Sequence, residues 1–327
     1  MKNNLKQQIM AAAAGDLAAI EQRLEENLTP YLERVREIAG HILFSGGKRL
    51  RPLLSLLSSR ICNYRGDYAE TFSVMFEYLH TATLLHDDLV DGAAVRRGKP
   101  VANAVWDNPS AVLVGDYLLA RASSIAAATE KLEIFQILSR IMEDMAQGEL
   151  HQLARKGDAG LSEAEYLQII RNKTAVLMSG ACQSGAILAE APETWKTALS
   201  EYGLCLGMAF QMADDLLDYT ADTGQTGKNA GADLQEGKYT LPLIYALSRA
   251  DAADRQAILD IVAGAAFSRE ILERFNALLE KHDGFAYTES CAAGYVTRAK
   301  DALAVFPPGE SRSLLMKLAD YAVARND

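Results

Sequence analysis

Apolar residues recur with helical spacing along almost the whole chain. Heptad-like intervals from residue 17 to residue 43 predict one long helix. A further helix is predicted to begin near Pro52, because proline suits the first turn of a helix. Residues 67–90 are apolar on most faces, which predicts a continuous buried helix. The same pattern predicts helices over residues 109–127, 131–156, 162–189 and 197–220, and from residue 240 to the end with a break near Phe306-Pro307-Pro308.

Two polar, glycine-containing loops interrupt these segments, at residues 91–100 and 222–239. No run of alternating apolar and polar residues predicts a strand. No internal repeat or linker divides the chain, so residues 1–327 are predicted to form one all-α domain. The order of residues 1–15 is left open by the sequence.

Composition supports long helices in a compact protein. Only eight prolines occur, and none lies between residues 110 and 191. Apolar residues make up 49% of the chain, which excludes wholesale disorder. The four cysteines are widely spaced without a Cys-x-x-Cys pair, which argues against structural zinc and disulfides and indicates a reducing compartment. No secretory signal and no apolar span of about 18 residues is found, so we expect a soluble, cytoplasmic protein.

The formal net charge of -10 argues against a nucleic-acid partner, because binding to a phosphate backbone normally needs a basic face. Taken alone, this charge also argues against any polyanionic ligand. Two sequence motifs change that conclusion.

The two motifs are rich in aspartate: DDLVD at residues 87–91 and DDLLD at residues 214–218. Each ends an apolar helix, and the first and last aspartates of each share a helix face. Carboxylates are disfavoured at a helix C-terminus, where the helix dipole prefers cations. One such motif is most often a solvated helix end, but two after buried helices favour a bound cation. Mg²⁺ fits, since it takes oxygen ligands and often substrate phosphates, whereas the calcium-binding EF-hand pattern is missing.

Basic residues lie beside both motifs. GGKRLRP at residues 46–52 places three cations around a glycine pair and a helix start, which predicts an anion cradle. RRGK follows the first motif at residues 96–99. Lys173-Thr174 lies on a helix, and Lys228 and Lys238 follow the second motif. Arginine suits bidentate phosphate recognition and lysine supplies a compact charge, so the arrangement favours diphosphates held with Mg²⁺. An acidic chain can thus become a diphosphate receptor.

The chain resembles the trans-isoprenyl diphosphate (polyprenyl) synthases over about residues 40–245. The resemblance rests on motifs that keep the family's order and spacing: GGKRLRP, HTATLLHDDLVD, RRG, KTA, FQMADDLLDY and GKNAGADLQEGKYTLPL. Within that family it is most similar to the bacterial octaprenyl diphosphate synthases of quinone biosynthesis. No matched position has lost the expected residue.

The resemblance implies the isoprenoid synthase fold, a bundle of long antiparallel helices around a deep central cavity, as a homodimer. It implies Mg²⁺-dependent, head-to-tail condensation of isopentenyl diphosphate onto an allylic diphosphate such as farnesyl diphosphate. The product would be octaprenyl diphosphate for ubiquinone or menaquinone side chains, which is directed to the membrane although the enzyme is soluble. The released diphosphate would take the final proton, so His86, next to Asp87, is expected to serve packing or hydrogen bonding.

The resemblance also implies roles for individual residues. About two to three Mg²⁺ ions would be bound by both aspartate motifs, through Asp87, Asp88, Asp91, Asp214, Asp215 and Asp218. Catalysis is implied for Asp87, Asp88, Asp91, Asp214, Asp215, Lys173, Lys228 and Lys238. Isopentenyl diphosphate would contact Gly47, Lys48, Arg51, His80 and Arg97. The allylic diphosphate would contact Arg96, Lys173, Thr174, Gln211, Lys228 and Lys238.

Product length follows from the helix before Asp87, along which the growing tail should run. In short-chain members a bulky aromatic residue floors the pocket one turn before that aspartate. Ala82 and Thr83 are small here, so at about 5.4 Å per turn the product should exceed about fifteen carbons. Deeper aromatic side chains are candidates for the floor: Phe76, Tyr78 and Phe135.

Three other functions are left as alternatives. A geranylgeranyl-type synthase would have a shallower pocket. A class I terpene cyclase would share the fold but would not need an isopentenyl diphosphate site such as the one at Gly47, Lys48 and Arg51. A non-catalytic subunit of a heteromeric prenyl synthase would lack an aspartate motif, and both motifs are intact.

Overall fold

The computed structural model describes residues 2–220, 231–264 and 268–324. These ranges are helical apart from short connections and one hairpin of two-residue strands, which confirms the predicted all-α class. The first helices are α1 (Lys2–Asn27), α2 (Glu33–Leu43), α3 (Leu50–Ile61), α4 (Ala69–Ser73), α5 (Met75–Val90), α6 (Ala102–Val105), α7 (Asn108–Ala127) and α8 (Leu132–Ala154). They are followed by α9 (Glu163–Ile170), α10 (Val176–Leu188), α11 (Glu193–Thr220), α12 (Ala232–Gln235), α13 (Leu241–Arg249), α14 (Ala252–Val262), α15 (Arg269–Lys281), α16 (Gly284–Ala302) and α17 (Glu310–Ala324). Four short elements complete the described ranges: strands β1 (Val95–Arg96) and β2 (Lys99–Pro100), a π-helical segment (Arg171–Ala175) and a 3₁₀ turn (Leu303–Val305).

The chain divides into two compact units. Unit 1 comprises Met1–Met142, Leu177–Gly203 and Ala302–Leu318. Unit 2 comprises Glu143–Val176, Leu204–Asp301 and Ala319–Asp327. The single-domain organisation stays a prediction.

The predicted helix over residues 17–43 is wrong as one element. Helix α1 ends at Asn27 and α2 begins at Glu33, with Pro30 in the connection. Proline lacks a backbone N–H and fixes φ, so it interrupts a helix whose apolar spacing continues on both sides. Helix α1 also begins before the predicted start, at Lys2, so residues 2–15 are helical.

Residues 67–90 form two nearly continuous helices, α4 and α5, which meet at Val74. The predicted burial of this segment is confirmed, because Phe76, Tyr78 and Ala82 are fully buried in unit 1. Helix α5 packs against α7. The absence of a side chain at Gly115 permits this contact, since a Cβ there would lie 2.3 Å from Nε2 of His86.

The predicted helix over residues 162–189 is interrupted by a π-helical segment, Arg171–Ala175, between α9 and α10. Such bulges are rare and often lie at functional sites. Two glycines allow neighbouring helices to approach this segment within unit 2. A Cβ on Gly148 of α8 would lie 2.9 Å from the backbone nitrogen of Lys173, and one on Gly207 of α11 would lie 2.5 Å from Cα of Ala175.

Each unit has apolar side chains in its interior. Unit 1 buries the rings of Phe72 and Phe76, which pack edge to face at 5.9 Å. Unit 2 has a cluster that includes Tyr166, Tyr219 and Phe275. No helix in the described ranges combines the length and apolar character required to cross a membrane.

Candidate active site

The glycine-rich connection before α3 forms the first part of the site in unit 1. Gly46 has a φ of +99°, a conformation that glycine adopts without steric cost. Gly47 leaves room for two guanidinium groups, because a Cβ there would lie 3.1 Å from Nη1 of Arg49 and 3.4 Å from Nη1 of Arg97. The loop therefore approaches two cations closely, as the predicted anion cradle requires.

A short hairpin presents the next two cations. Strands β1 and β2 pair antiparallel, with Arg96 opposite Lys99. The turn residues Arg97 and Gly98 have φ values of +52° and +75°, which suits a tight hairpin turn. Arg97 donates a hydrogen bond to the carbonyl oxygen of Gly46. The hairpin was not predicted, because two-residue strands are too short for a periodic pattern, but it joins the predicted residues Gly47 and Arg97.

His80 lies within the field of this cation cluster. Burial lowers the pKa of His80 well below its usual range, and the nearby guanidinium groups of Arg51, Arg97, Arg96 and Arg49 lower it further. The imidazole is therefore neutral near pH 7 and retains a lone pair. The structure thus brings together Arg51, His80 and Arg97, which the sequence assigns to isopentenyl diphosphate, whereas Lys48 is exposed on the loop.

Two carboxylates beneath the cradle, those of Glu21 and Glu77, are missing from the sequence prediction. Arg49 is buried and donates to the carboxylates of Glu21 at 2.6 Å and Glu77 at 2.8 Å. It also donates to the carbonyl oxygen of Leu43 at 2.6 Å. The one signal in the sequence is Glu77, a carboxylate in an otherwise apolar helix, placed three residues before His80.

The first aspartate motif ends α5. The amide of Asp91 donates to the carbonyl oxygen of Asp87 at 2.8 Å, and both side chains are half-buried. Asp88 is buried, and Nε of Arg96 donates to its Oδ1 at 2.7 Å. Burial raises the pKa of Asp88, and the Arg96 charge opposes this shift. The structure therefore brings Asp88, a predicted ligand of Mg²⁺, into contact with Arg96, a predicted contact of the allylic diphosphate.

The Oδ2 atom of Asp88 fits a cation. It is buried and meets no hydrogen-bond donor from the described part of the chain. A small cavity beside it is lined by Ser45, Arg96 and Lys99, among others. Across the described residues no three acidic, histidine or cysteine side chains form a ready metal cluster. Mg²⁺ does not need one, because it is commonly held by one or two carboxylates together with water and substrate phosphates.

The second aspartate motif ends α11 in unit 2. Asp218 accepts hydrogen bonds from the amides of Ala232 at 3.2 Å and Asp233 at 3.0 Å. Its carbonyl oxygen accepts from the amide of Gly231 at 2.8 Å. Asp218 thus anchors the start of α12 in addition to its predicted metal role. Asp214 is exposed, and Asp215 is buried.

Asp215 connects several predicted residues. Its Oδ1 accepts from Nε2 of Gln211 at 2.8 Å, and Gln211 accepts from the hydroxyl of Thr174 at 2.8 Å. Its Oδ2 accepts from the hydroxyl of Tyr166 at 2.6 Å. Burial and the neighbouring charge of Asp233 raise the pKa of Asp215 well above its usual range. Neither Tyr166 nor Asp233 was predicted, although Asp233 lies in the same motif as Lys238.

Two of the predicted lysines, Lys173 and Lys238, have acidic partners in unit 2. Lys173, in the π-helical segment, lies 2.6 Å from Oε2 of Glu149, and Lys238 lies 2.5 Å from Oε2 of Glu236. The other oxygen of Glu149 is buried without a donor in the described ranges. Glu149 is a further residue that the sequence did not indicate. Lys228 lies outside the described residues.

The residues predicted to set product length lie in unit 1. Ala82 and Phe76 are fully buried, and Tyr78 donates from its hydroxyl to the carbonyl oxygen of Leu24 at 2.7 Å. Thr83 is partly exposed and donates to the carbonyl oxygen of His80. Phe135, in contrast, is 40% exposed in the isolated chain.

His86 has the packing role that the sequence predicts. Its Nε2 lies 3.2 Å from the carbonyl oxygen of Val112 and fills the space above Gly115. The same nitrogen lies 3.7 Å from the carboxylate of Asp116. These contacts hold α5 against α7.

The chain is similar to known proteins along most of its length. The family model described as polyprenyl synthetase matches residues 32–278. An octaprenyl diphosphate synthase from Haemophilus influenzae is 37% identical over 319 residues, which is 98% of this chain and 97% of that protein. A geranyl-diphosphate-specific all-trans-nonaprenyl-diphosphate synthase from Rhodobacter capsulatus is 37% identical over 326 residues, 99% of both chains.

A solved structure supports the fold. The crystal structure of a polyprenyl synthase from Caulobacter crescentus CB15, complexed with calcium and isoprenyl diphosphate, has a TM-score of 0.91 and 38% sequence identity to this chain. The match covers 98% of each chain. This chain therefore belongs to the polyprenyl synthetase family and is a prenyltransferase.

Proposed function

We propose that this protein is a long-chain all-trans polyprenyl diphosphate synthase that makes octaprenyl diphosphate. It adds isopentenyl diphosphate units head to tail to an allylic diphosphate such as farnesyl diphosphate. The observation that carries the proposal is the cation cluster of unit 1, where the glycine-rich loop and the hairpin bring Arg97 against Gly46 and where burial and the charges of Arg51 and Arg97 lower the pKa of His80. A terpene cyclase, which takes no isopentenyl diphosphate, has no use for such a cluster.

Isopentenyl diphosphate binds to Gly47, Lys48, Arg51, His80 and Arg97, and the absence of a side chain at Gly47 lets the Arg97 guanidinium lie close to the loop. Guanidinium groups bind phosphate oxygens through paired hydrogen bonds, and lysine adds a compact charge. His80 is neutral, so it contributes a hydrogen bond without adding to the repulsion among the arginines. Arg49 is paired with Glu21 and Glu77 and holds the loop.

The allylic diphosphate binds to the two aspartate motifs and their cations. About two to three Mg²⁺ ions would be held by Asp87, Asp88, Asp91, Asp214, Asp215 and Asp218. The similar polyprenyl synthase from Caulobacter crescentus is complexed with calcium and isoprenyl diphosphate, which supports a divalent cation and an isoprenyl diphosphate as ligands. When bound, Mg²⁺ stabilises the negative charge of the diphosphate leaving group.

The side chains that contact the allylic diphosphate stabilise the charge that develops on its oxygens as the carbon–oxygen bond breaks. These side chains are Arg96, Lys173, Thr174, Gln211, Lys228 and Lys238. The double bond of isopentenyl diphosphate then attacks the allylic carbon, and the released diphosphate accepts the proton. Glu149 and Glu236 hold Lys173 and Lys238 until a diphosphate takes their place.

The small residues Ala82 and Thr83 support a long product, since neither side chain is large enough to block a growing tail that runs along α5. Relatives named for octaprenyl and nonaprenyl products support the same length class. A geranylgeranyl-type synthase is the second candidate, because solved synthases of that type, such as one from Pyrococcus horikoshii, share the fold with a TM-score of 0.90. The product provides side chains for ubiquinone or menaquinone, and the enzyme works in the cytoplasm.

The protein acts as a homodimer. Large apolar side chains remain exposed on two helices of unit 1, Val112 and Leu113 on α7 and Leu132 and Phe135 on α8. A second copy of the chain would cover such surfaces. Light scattering should give the mass of a dimer, and Leu113→Glu should shift it towards a monomer.

The catalytic assignment is tested by Asp87→Ala. This variant should lose turnover of isopentenyl and farnesyl diphosphates while its circular dichroism spectrum stays unchanged. Asp301→Ala, which removes an exposed aspartate near the end of α16, is the matched control and should stay active. Full activity of the Asp87→Ala variant would contradict the proposed function.

A further inference from the structure

Tyr166 lies outside every motif that the sequence assigns to the site. Its ring is only 3% exposed and belongs to the core of unit 2. Its hydroxyl does not pack with the apolar side chains of that core. It donates a hydrogen bond to Oδ2 of Asp215 at 2.6 Å. A buried tyrosine thus directs its one polar atom at a residue of the second aspartate motif.

This hydrogen bond is one end of a directed chain. The hydroxyl of Thr174 donates to Oε1 of Gln211, and Nε2 of Gln211 donates to Oδ1 of Asp215, each at 2.8 Å. Asp215 therefore receives one side-chain donor on each carboxylate oxygen. Three residues that the sequence assigns separately, Thr174, Gln211 and Asp215, form one network, and Tyr166 closes it.

The network fixes the orientation of Asp215. A carboxylate bound on both oxygens cannot rotate freely, and each oxygen keeps about one further lone pair for a ligand. The bonds also join α11 to two consecutive elements, to the π-helical segment through Thr174 with Gln211 and to α9 through Tyr166 with Asp215. Gly207 allows this close approach, since a Cβ there would lie 2.5 Å from Cα of Ala175.

We infer that Tyr166 is a positioning residue for the second aspartate motif. Its hydroxyl holds the carboxylate of Asp215 in the orientation that receives Mg²⁺ with a diphosphate, and through Gln211 it sets the Thr174 hydroxyl. This inference rests on the proposed function, but it concerns a residue outside the matched motifs. It predicts that the loss of the Tyr166 hydroxyl weakens metal-dependent diphosphate binding.

Tyr166→Phe removes only the hydroxyl and keeps the ring. Tyr202→Phe is the matched control, because Tyr202 is equally buried, lies in unit 1 and donates to the carbonyl oxygen of Leu315 at 2.8 Å. Calorimetric titration with inorganic diphosphate at fixed Mg²⁺ concentrations measures binding without turnover. The Mg²⁺ concentration at half-maximal binding should rise about tenfold in Tyr166→Phe, as expected for loss of one hydrogen bond to a charged group, and less than about twofold in Tyr202→Phe.

Steady-state kinetics give a second readout. In Tyr166→Phe the kcat should fall about tenfold, while the KM for isopentenyl diphosphate stays within about twofold of the wild-type value. Equal Mg²⁺ dependence of diphosphate binding in the two variants would overturn the inference and leave the proposed function intact. Absence of any Mg²⁺-dependent diphosphate binding by the wild-type protein would overturn the proposed function, and this inference with it.

Discussion

The guanidinium of Arg49 and the carboxylate of Glu77 form an ion pair of 2.8 Å whose side chains are only 4% and 6% exposed. Arg49 is the N-cap residue immediately before α3 and has a left-handed conformation, with a φ of +47°. Glu77 lies on α5, one turn before His80. The pair therefore connects the loop that carries Lys48 to the helix that carries the first aspartate motif.

Glu77→Gln should destabilise the protein strongly. The substitution leaves the buried Arg49 with Glu21 as its remaining acidic partner. Breaking one partner of a buried ion pair costs about 3 kcal/mol of unfolding free energy. Urea unfolding followed by circular dichroism measures this change.

Glu273→Gln is the control for that prediction. Glu273 pairs with Arg269 at a similar distance, 2.9 Å, but the side chains are 64% and 91% exposed. Loss of an exposed pair should cost less than about 1 kcal/mol. Equal effects of the two substitutions would show that the Arg49 network does not stabilise the loop.

The free energy of unfolding should decrease as the pH is lowered, because His80 resists protonation in the folded protein. Its pKa in the folded protein lies below the ordinary value of 6.5, so the unfolded chain binds more protons as the pH falls below that value. The contribution of neutral His80 is complete above that pH and is lost progressively below it. The cause is the burial of the ring and the charges of Arg51, Arg97, Arg96 and Arg49.

His80→Gln tests this pH dependence, because glutamine keeps hydrogen-bonding capacity but does not titrate. Between about pH 7.5 and about pH 5.5, the wild type should lose about 1 kcal/mol more unfolding free energy than the variant. Urea unfolding at both pH values gives the comparison. The same loss in both proteins would rule out His80 as the source.

Gly148→Ala should impair catalysis through Lys173. The added Cβ would lie 2.8 Å from Cβ of Asn172 and 2.9 Å from the backbone nitrogen of Lys173, so the π-helical segment must shift. We expect kcat to fall at least about tenfold, since small displacements of binding groups have large effects on rate. Gly294→Ala is the control, because a Cβ added at Gly294 on α16 would meet open space. This variant should retain activity, and its free energy of unfolding should rise by up to about 1 kcal/mol. Equal kcat values for the two variants would contradict this role of the π-helical segment.

Ala82→Phe should shorten the product, because a bulky ring one turn before the first aspartate motif blocks the growing tail. Ala13→Phe is the matched control, since Ala13 is an equally buried alanine of unit 1, on α1. The control should lose stability through overpacking but keep the product length. Chromatography of the dephosphorylated products measures chain length, and an unchanged length in Ala82→Phe would refute the proposed path of the tail.

The sequence predicts the site residues well where chemistry depends on local spacing. The interval between Asp87 and Asp91 predicts one helical turn, and their backbone hydrogen bond confirms it. The sequence does not predict side-chain contacts that depend on the tertiary fold. Asp88 points to Arg96 on a hairpin too short to leave a periodic pattern.

Two other failures have identifiable physical causes. The π-helical segment at Lys173 adds no break in apolar spacing, because a single wide turn barely disturbs the helical pattern. Pro30 was overlooked because apolar residues continue on both sides of it. The hydrogen-bond partners of Tyr166 and Arg49 could not be inferred, since the partners of a buried polar atom come from distant parts of the chain.

Incubation of the protein with radiolabelled isopentenyl diphosphate, farnesyl diphosphate and Mg²⁺ tests the central claim most directly. The dephosphorylated products, sized by chromatography, should form a series that ends at octaprenol, and chelation of Mg²⁺ should abolish them. A series that stops at geranylgeraniol, or no elongation at all with Mg²⁺ present, would contradict the assignment as a long-chain synthase.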